Sequence, residues 1–264
     1  KILKKHMSGT TSILRHFFGM KILVCVSVVP DTTTKITFTN DNSQFNKSGV
    51  QFIINPYDEL ALTRALELTE KNGGSVSVIN VGNADADPVI RKALAIGAAD
   101  AIRVDAEPSD GMFVAAQIAE QVKTGNFDLV LTGRESIDYN SGQVGGLIAE
   151  ILDIPFVNVA MEIDTEGDTV TATRDIDGGR ETLACSTPCV ISAQKDLCEP
   201  RIPNMRGIMM ARSKPLNVVA PIDKYNYTNF SSYELPQEKS GVKMIDAENA
   251  EQLMDILHND EKLF

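Results

Sequence analysis

The segment best equipped for chemistry reads GRESIDYNSGQVGG, residues 133–146. Gly142, Gly145 and Gly146 let a ligand approach the backbone, Asn140 and Ser141 supply hydrogen-bonding groups, and the apolar residues that follow put a helix N-terminus at its end. Unpaired N–H groups and the positive end of the helix dipole suit a phosphate there. An ordinary capped strand-to-helix turn draws on the same residue types, so both readings stand. Asn55-Pro56-Tyr57-Asp58 offers a second helix start: asparagine can cap, proline fits the first turn, and the acid complements the dipole. It either simply caps that helix or meets the first segment at one sheet edge, with the tyrosine and backbone groups around a base. Asp138 is likewise either a ribose or phosphate-loop partner or a solvated turn acid.

Signatures of catalysis are missing. The sequence has no GxGxxG after its first apolar run, no GxxxxGK[ST], no GxSxG and no HExxH. His6 and His16 lie near the N-terminus and His258 near the C-terminus, so none sits at a strand end as a general base. Cys25, Cys185, Cys189 and Cys198 form neither a dense disulfide framework nor a CxxC pair, and no histidine accompanies the last three. Buried thiols in a reducing compartment are expected, without a metal site.

The elements that must position these residues follow from periodicity. KILVCVSVV from Lys21 is a nearly continuous apolar run, as in a strand buried on both faces of a parallel sheet. Leu62, Ala65, Leu66 and Thr69 repeat at helical spacing until Asn72-Gly73-Gly74. Strands are expected at 75–82, 101–105 and 127–134, and helices from Asp87-Pro88 to Ile96, around Ala115 to Val122, and around Val144 to Ile151. Alternation of this kind gives a doubly wound, mostly parallel, Rossmann-like α/β sheet that binds ligands at the carboxyl ends of its strands. Past Ile154 the pattern becomes polar-apolar alternation with turns at Gly167 and at Asp177-Gly178-Gly179, an antiparallel extension. A strand at 188–194 leads into a proline-bearing loop. From 214 the chain is polar until a helical stretch near 247–258, so 214–264 reads as an arm packed on a partner, and 20–213 as the nucleotide-binding domain.

A net charge of −11 speaks against a nucleic-acid partner. No run approaches the roughly 18 apolar residues of a membrane span. Residues 1–19 are basic and free of acids, and read as an upstream start, an added extension or a transit peptide. Cytoplasm is the expected compartment, with the mitochondrial matrix as the alternative.

Ordered blocks, KILVCVSVVPD, INPYDELAL, IRKALAIGAADAIRV, DLVLTGRESIDYNSGQVG, RDIDGGRETL and CEPRIPNMRGIM, give residues 21–220 a resemblance to the β subunit of electron-transfer flavoproteins. That resemblance implies a heterodimer with an α subunit carrying most of an FAD site. It also implies electron relay from flavin dehydrogenases, such as acyl-CoA dehydrogenases, to a quinone-reducing acceptor. AMP is the implied ligand of the β subunit. Its pocket carries over to Cys25, to Asn55, Pro56, Tyr57 and Asp58, to Val81, and to Ser136, Ile137, Asp138, Tyr139, Asn140, Ser141, Gly142, Gln143 and Val144. The dehydrogenase-recognition loop carries over to Leu197, as an exposed anchor, with Glu199, Pro200 and Arg201, and an arginine-acid pair facing the mobile flavin domain to Arg174 and Asp175.

Three departures narrow the resemblance. The family's lysine-rich stretch after the loop is here Met210-Ala211-Arg212-Ser213-Lys214, Asp175 replaces the usual glutamate, and Pro30-Asp31-Thr32 looks more like electron-bifurcating members. In those, a second FAD takes the place of AMP. The reading from a different class is a stand-alone ATP-binding α/β protein, under which the polar arm has no evident purpose.

Overall fold

The structure, a computed structural model, describes residues 19–39, 41–224, 226–238 and 241–263. The expected N-terminal extension therefore lies outside the described residues except for Gly19. Two compact units are present: residues up to 37 with 46–230, and residues 38–45 with 231–264.

The first strand, β1 (Met20–Cys25), shows why its sequence carries no polar alternation. Ile22 and Val24 are buried on one face of the sheet, Leu23 and Cys25 on the other. The expected single run of 21–29 is broken at Val26-Ser27: β2 (Val28–Pro30) leaves the sheet and pairs antiparallel with β3 (Phe52–Ile54). Helix α1 (Pro56–Asn72) then returns to β4 (Gly74–Val81), and α2 (Asp87–Ile96) leads to β5 (Asp100–Val104). Next come α3 (Gly111–Gly125), β6 (Leu129–Gly133), α4 (Val144–Leu152) and β7 (Phe156–Ala160).

A three-stranded antiparallel sheet follows, β8 (Glu162–Glu166), β9 (Thr169–Ile176) and β10 (Gly179–Ser186). Its β9–β10 turn places Gly178 at φ +86°, a conformation that costs glycine little. The chain re-enters the main sheet as β11 (Cys189–Ala193), forms α5 (Met205–Ala211) and ends the first unit's strands with β12 (Leu216–Val219). Main-sheet order is β12-β5-β4-β1-β6-β11-β7, and every pairing in it is parallel.

Residues of α1 and α2 pack on one face of that sheet with Ile22, Val24 and Leu131, and residues of α3 and α4 on the other with Leu23, Ile79 and Val130. The sheet is thus doubly wound. One boundary differs from the sequence reading: β12 lies within the stretch assigned to the arm, yet it pairs with β5 from Leu216↔Ala101 to Val219↔Val104. Four half-exposed residues are too short a run to announce a strand. In the second unit, Phe38 bridges Phe45 and stacks on Tyr233 with ring centroids 4.9 Å apart, and α6 (Ala250–Asp255) supplies the helix expected there. Among the described residues no helix is long and apolar enough to cross a membrane.

Candidate functional site

Because β1, β4 and β6 run parallel, the turns after Cys25, Val81 and Gly133 open on one edge of the sheet. Two side chains from the start of α1 tie that edge together. Asp58 is 3% exposed; its Oδ2 accepts from the Ser27 N–H at 2.7 Å and its Oδ1 from the Gly133 N–H at 2.9 Å. Asn55, fully buried, makes no side-chain cap to its own helix. Its Nδ2 donates to the Glu135 carbonyl at 2.8 Å, and its Oδ1 accepts from the Ile137 N–H at 3.2 Å. The plain-capping reading of 55–58 therefore gives way to a long-range clamp that fixes where the 133–146 loop starts.

Downstream of the clamp the loop closes on itself. The Ser136 N–H donates to the Ser141 carbonyl at 3.2 Å, Asp138 Oδ1 accepts from the Tyr139 N–H at 2.9 Å, and Asn140 takes a left-handed φ of 50° that asparagine tolerates. Helix α4 starts at Val144 with no side-chain cap, so its first N–H groups have no capping oxygen from Gln143. That is a helix start suited to an anion.

A cleft of about 460 Å³ runs along the edge. Of the expected site residues it is lined by Cys25, Asp58, Val81, Ser136, Tyr139, Ser141, Gly142 and Val144. Asn55, Pro56, Tyr57, Ile137, Asp138, Asn140 and Gln143 are not part of its wall. Tyr57, expected beside a base, instead lies under the Arg134 guanidinium, 5.5 Å from the ring centroid. Sequence reasoning missed Ser27, Asn80, Thr132 and Arg134, which also line the cleft. Asn80 and Thr132 had a signal: each is a polar residue next to last in its parallel strand, directly after an apolar residue.

Ile79, Val81, Val114 and Ile118 give the cleft apolar surface; Asn80 and Thr132 belong to its lining, but Asn80 Oδ1 and Thr132 Oγ1 are themselves buried in the protein, without a hydrogen-bond partner there. An apolar wall for a base and a helix start for a phosphate together fit a nucleotide.

Burial pushes the Asp58 carboxyl up to about 7, opposed by the N–H bonds from Ser27 and Gly133. Burial, and then the Asp58 charge, also push the Cys25 thiol up, so it stays protonated and is no nucleophile. Native Asp58 binds a proton that the unfolded chain, with an ordinary carboxyl near 3.8, has released. Its contribution to stability is therefore complete below the unfolded value and lost as pH rises through about 7. Asp31, Glu70 and Asp164, held low by hydrogen bonds from Thr33, Arg201 and Lys71, titrate below that window and slope the other way. Urea unfolding at about pH 5 and about pH 8 should show a wild-type advantage at the lower pH that Asp58→Asn loses; parallel pH curves would refute the assignment.

The residues carried over as partner contacts are placed differently from expectation. Leu197 is 8% exposed and packs in the core, so it is not presented as an anchor. Exposed apolar side chains lie just beyond it instead: Ile202 at 90%, Met205 at 74% and Met209 at 69%. Glu199 and Pro200 are exposed, and Arg201 forms two bonds to Glu70, of 2.6 and 2.7 Å. Arg174 and Asp175 do not pair with each other, because neighbours on a strand face opposite sides. Each instead meets the residue directly across on β10: Arg174 with Glu181 at 2.8 Å, and Asp175 with Arg180 at 3.1 Å. Among the described residues no group of three or more His, Cys, Asp or Glu could hold a metal ion.

Comparison with known proteins adds a direct finding. The family model described as "Electron transfer flavoprotein domain" matches residues 43–224. The electron transfer flavoprotein subunit beta of Bacillus subtilis is 33% identical over 258 residues, covering 92% of this chain and 100% of that one. Its counterpart in Syntrophomonas wolfei is 37% identical over 231 residues, 86% of this chain and 91% of the other. The acryloyl-CoA reductase electron transfer subunit gamma of Anaerotignum propionicum is 34% identical over 262 residues, 90% of this chain and 98% of the other.

Proposed function

The chain belongs to the electron transfer flavoprotein family, as a β-type subunit, and from that premise we propose that it pairs with an α subunit and holds AMP in the strand-edge cleft. In the proposed heterodimer most of the FAD site belongs to the α subunit. Electrons come from flavin dehydrogenases, such as acyl-CoA dehydrogenases, and leave for a quinone-reducing acceptor. The observation that carries the ligand assignment is the cleft itself, where the uncapped start of α4 at Val144 lines the same space as the apolar wall of Ile79, Val81, Val114 and Ile118.

Ser141, Gly142 and the first N–H groups of α4 would hold the phosphate, and the apolar wall around Val81 would take the base. The clamp made by Asn55 and Asp58 keeps those parts in register. A bound flavin would supply the redox chemistry; this chain's residues bind, orient and exclude water. Of the arm expected from 214, the part beyond residue 230 would pack on the α subunit, with the described segment 241–263 exposing Val242, Met244 and Met254.

Dehydrogenase docking is assigned to the loop of Leu197, Glu199, Pro200 and Arg201, with Ile202, Met205 and Met209 beside it as the exposed apolar contacts. Large apolar side chains left this exposed on one short segment suit a docking surface. Replacing Ile202 and Met205 together by serine should slow electron transfer from the dehydrogenase roughly tenfold, with heterodimer assembly and flavin content unchanged. Unaltered transfer kinetics would remove this surface from the account.

A second FAD in place of AMP is the alternative reading. It is favoured by Pro30-Asp31-Thr32, at the end of β2, where Thr32 is exposed and the half-buried Asp31 accepts through Oδ1 from the Thr33 N–H at 2.9 Å.

A further inference from the structure

Resting on the nucleotide reading of the cleft, we propose that the chain just past β12 is a strap across the starts of α3 and α4, with Phe230 as the positioning residue that slows escape of the bound nucleotide.

The strap comprises the described residues 222–224 and 226–230, and it is fastened at three points. Gln117, on α3 and 2% exposed, uses both ends of its amide on Ile222: Nε2 donates to the carbonyl at 2.9 Å, and Oε1 accepts from the N–H at 2.8 Å. Asp110 caps α3 through Oδ1, which accepts from the Phe113 N–H at 2.7 Å. Its Oδ2 accepts from the Tyr227 and Thr228 N–H groups, at 2.5 and 2.9 Å. Last, Phe230 stacks on Tyr139, with ring centroids 4.8 Å apart and planes 24° apart.

Two of the three fastenings sit on the cleft wall. Asp110 precedes α3, Tyr139 belongs to the loop before α4, and both line the cleft, as do Gly111, Ser141 and Gly142. The two helix starts meet there, since a Cβ on Gly111 would lie 2.8 Å from Gln143 Nε2. A phosphate placed at Ser141, Gly142 and the start of α4 is held by the loop that carries Tyr139, so an outward swing of that loop is the local opening that releases it. The strap opposes this swing: Phe230 holds Tyr139, while Asp110 and Gln117 hold the strap to α3. None of the described strap residues lines the cleft, so Phe230 acts on the nucleotide through Tyr139.

The experiment uses the heterodimer with its α subunit, carrying AMP, mixed with an excess of radiolabelled AMP; the label bound to protein is followed with time. Phe230→Ser, at a side chain 59% exposed, should exchange its AMP roughly tenfold faster than wild type, a barrier lower by about 1.4 kcal/mol, with Tm unchanged. Phe230→Tyr, which keeps the stack, should exchange at the wild-type rate. Equal rates in wild type and Phe230→Ser, or no exchange in either, overturn the strap and leave the nucleotide site standing. A Phe230→Tyr variant as fast as Phe230→Ser also overturns it. A wild-type heterodimer that holds no AMP is the different result that overturns the underlying reading of the cleft.

Discussion

Replacing Asp58 by alanine is expected to cost about 3–5 kcal/mol of stability and to strip the cleft of its nucleotide. The Ser27 and Gly133 N–H groups, bonded to Asp58 at 2.7 and 2.9 Å, would be left in a site only 3% exposed at its centre. Each buried donor without an acceptor costs about 1–3 kcal/mol, and the missing carboxyl leaves a small void besides. The loss reaches function because the two donors belong to different strand ends, after β1 and at the end of β6, while the acceptor belongs to α1. Releasing Asp58 frees all three elements at the cleft edge. Thermal melting of the heterodimer checks this, with a fall in Tm of roughly 10 °C expected. Asp58→Asn should fall between wild type and alanine, since one of its two side-chain groups would face an N–H as a donor. An alanine variant that melts with wild type would mean that the clamp does not hold the edge.

The second large effect is expected from one methyl group. A Cβ on Gly133 would sit 2.3 Å from Asp58 Oδ1, 2.7 Å from Tyr57 Cβ and 3.1 Å from Asn55 Nδ2. None of these neighbours can yield cheaply. Asp58 is held by two N–H groups, Asn55 by the backbone at Glu135 and Ile137, and Tyr57 lies under Arg134. Overpacking of this order costs about 1–3 kcal/mol, and here the strain falls where the phosphate loop departs from β6. Gly133→Ala should therefore lower nucleotide retention more than its change in Tm alone explains. Retention equal to wild type in a variant that folds would contradict the close-packed account of this corner.

Much of the scaffold was legible because a parallel strand buried on both faces has no choice but to be apolar throughout. β1 carries that pattern apart from Lys21 at its start, β4 and β6 carry it apart from Ser75, Ser77, Asn80 and Thr132, and α2 and α4 carry capping or periodic signals at their bounds. The break between β1 and β2 was not legible for the same reason. An unbroken run through Val26 says nothing about which sheet its end will join, and that is decided by pairing with Phe52–Ile54. The α5 segment, MRGIMMA, carries a glycine and no clear apolar stripe, so it reads as loop.

The site divides along similar lines. Residues 133–146 were recognisable because a glycine-bearing turn before a helix is a local signal. The partnership of Asn55 with Glu135 and Ile137 spans some eighty positions, and a residue type that commonly caps a helix gave no hint of it. Leu197 shows the converse error: charged neighbours suggested exposure, but the side chain turns back into the core and leaves Ile202 and Met205 outside.

The central claim is that this chain serves electron transfer as a nucleotide-holding subunit. The most direct test is to purify it with its α subunit, release the bound small molecules, and count flavin and adenine nucleotide per heterodimer. One FAD and one AMP is the predicted result, and two FADs would assign the cleft to the flavin alternative. A stable heterodimer containing neither flavin nor AMP would contradict the account.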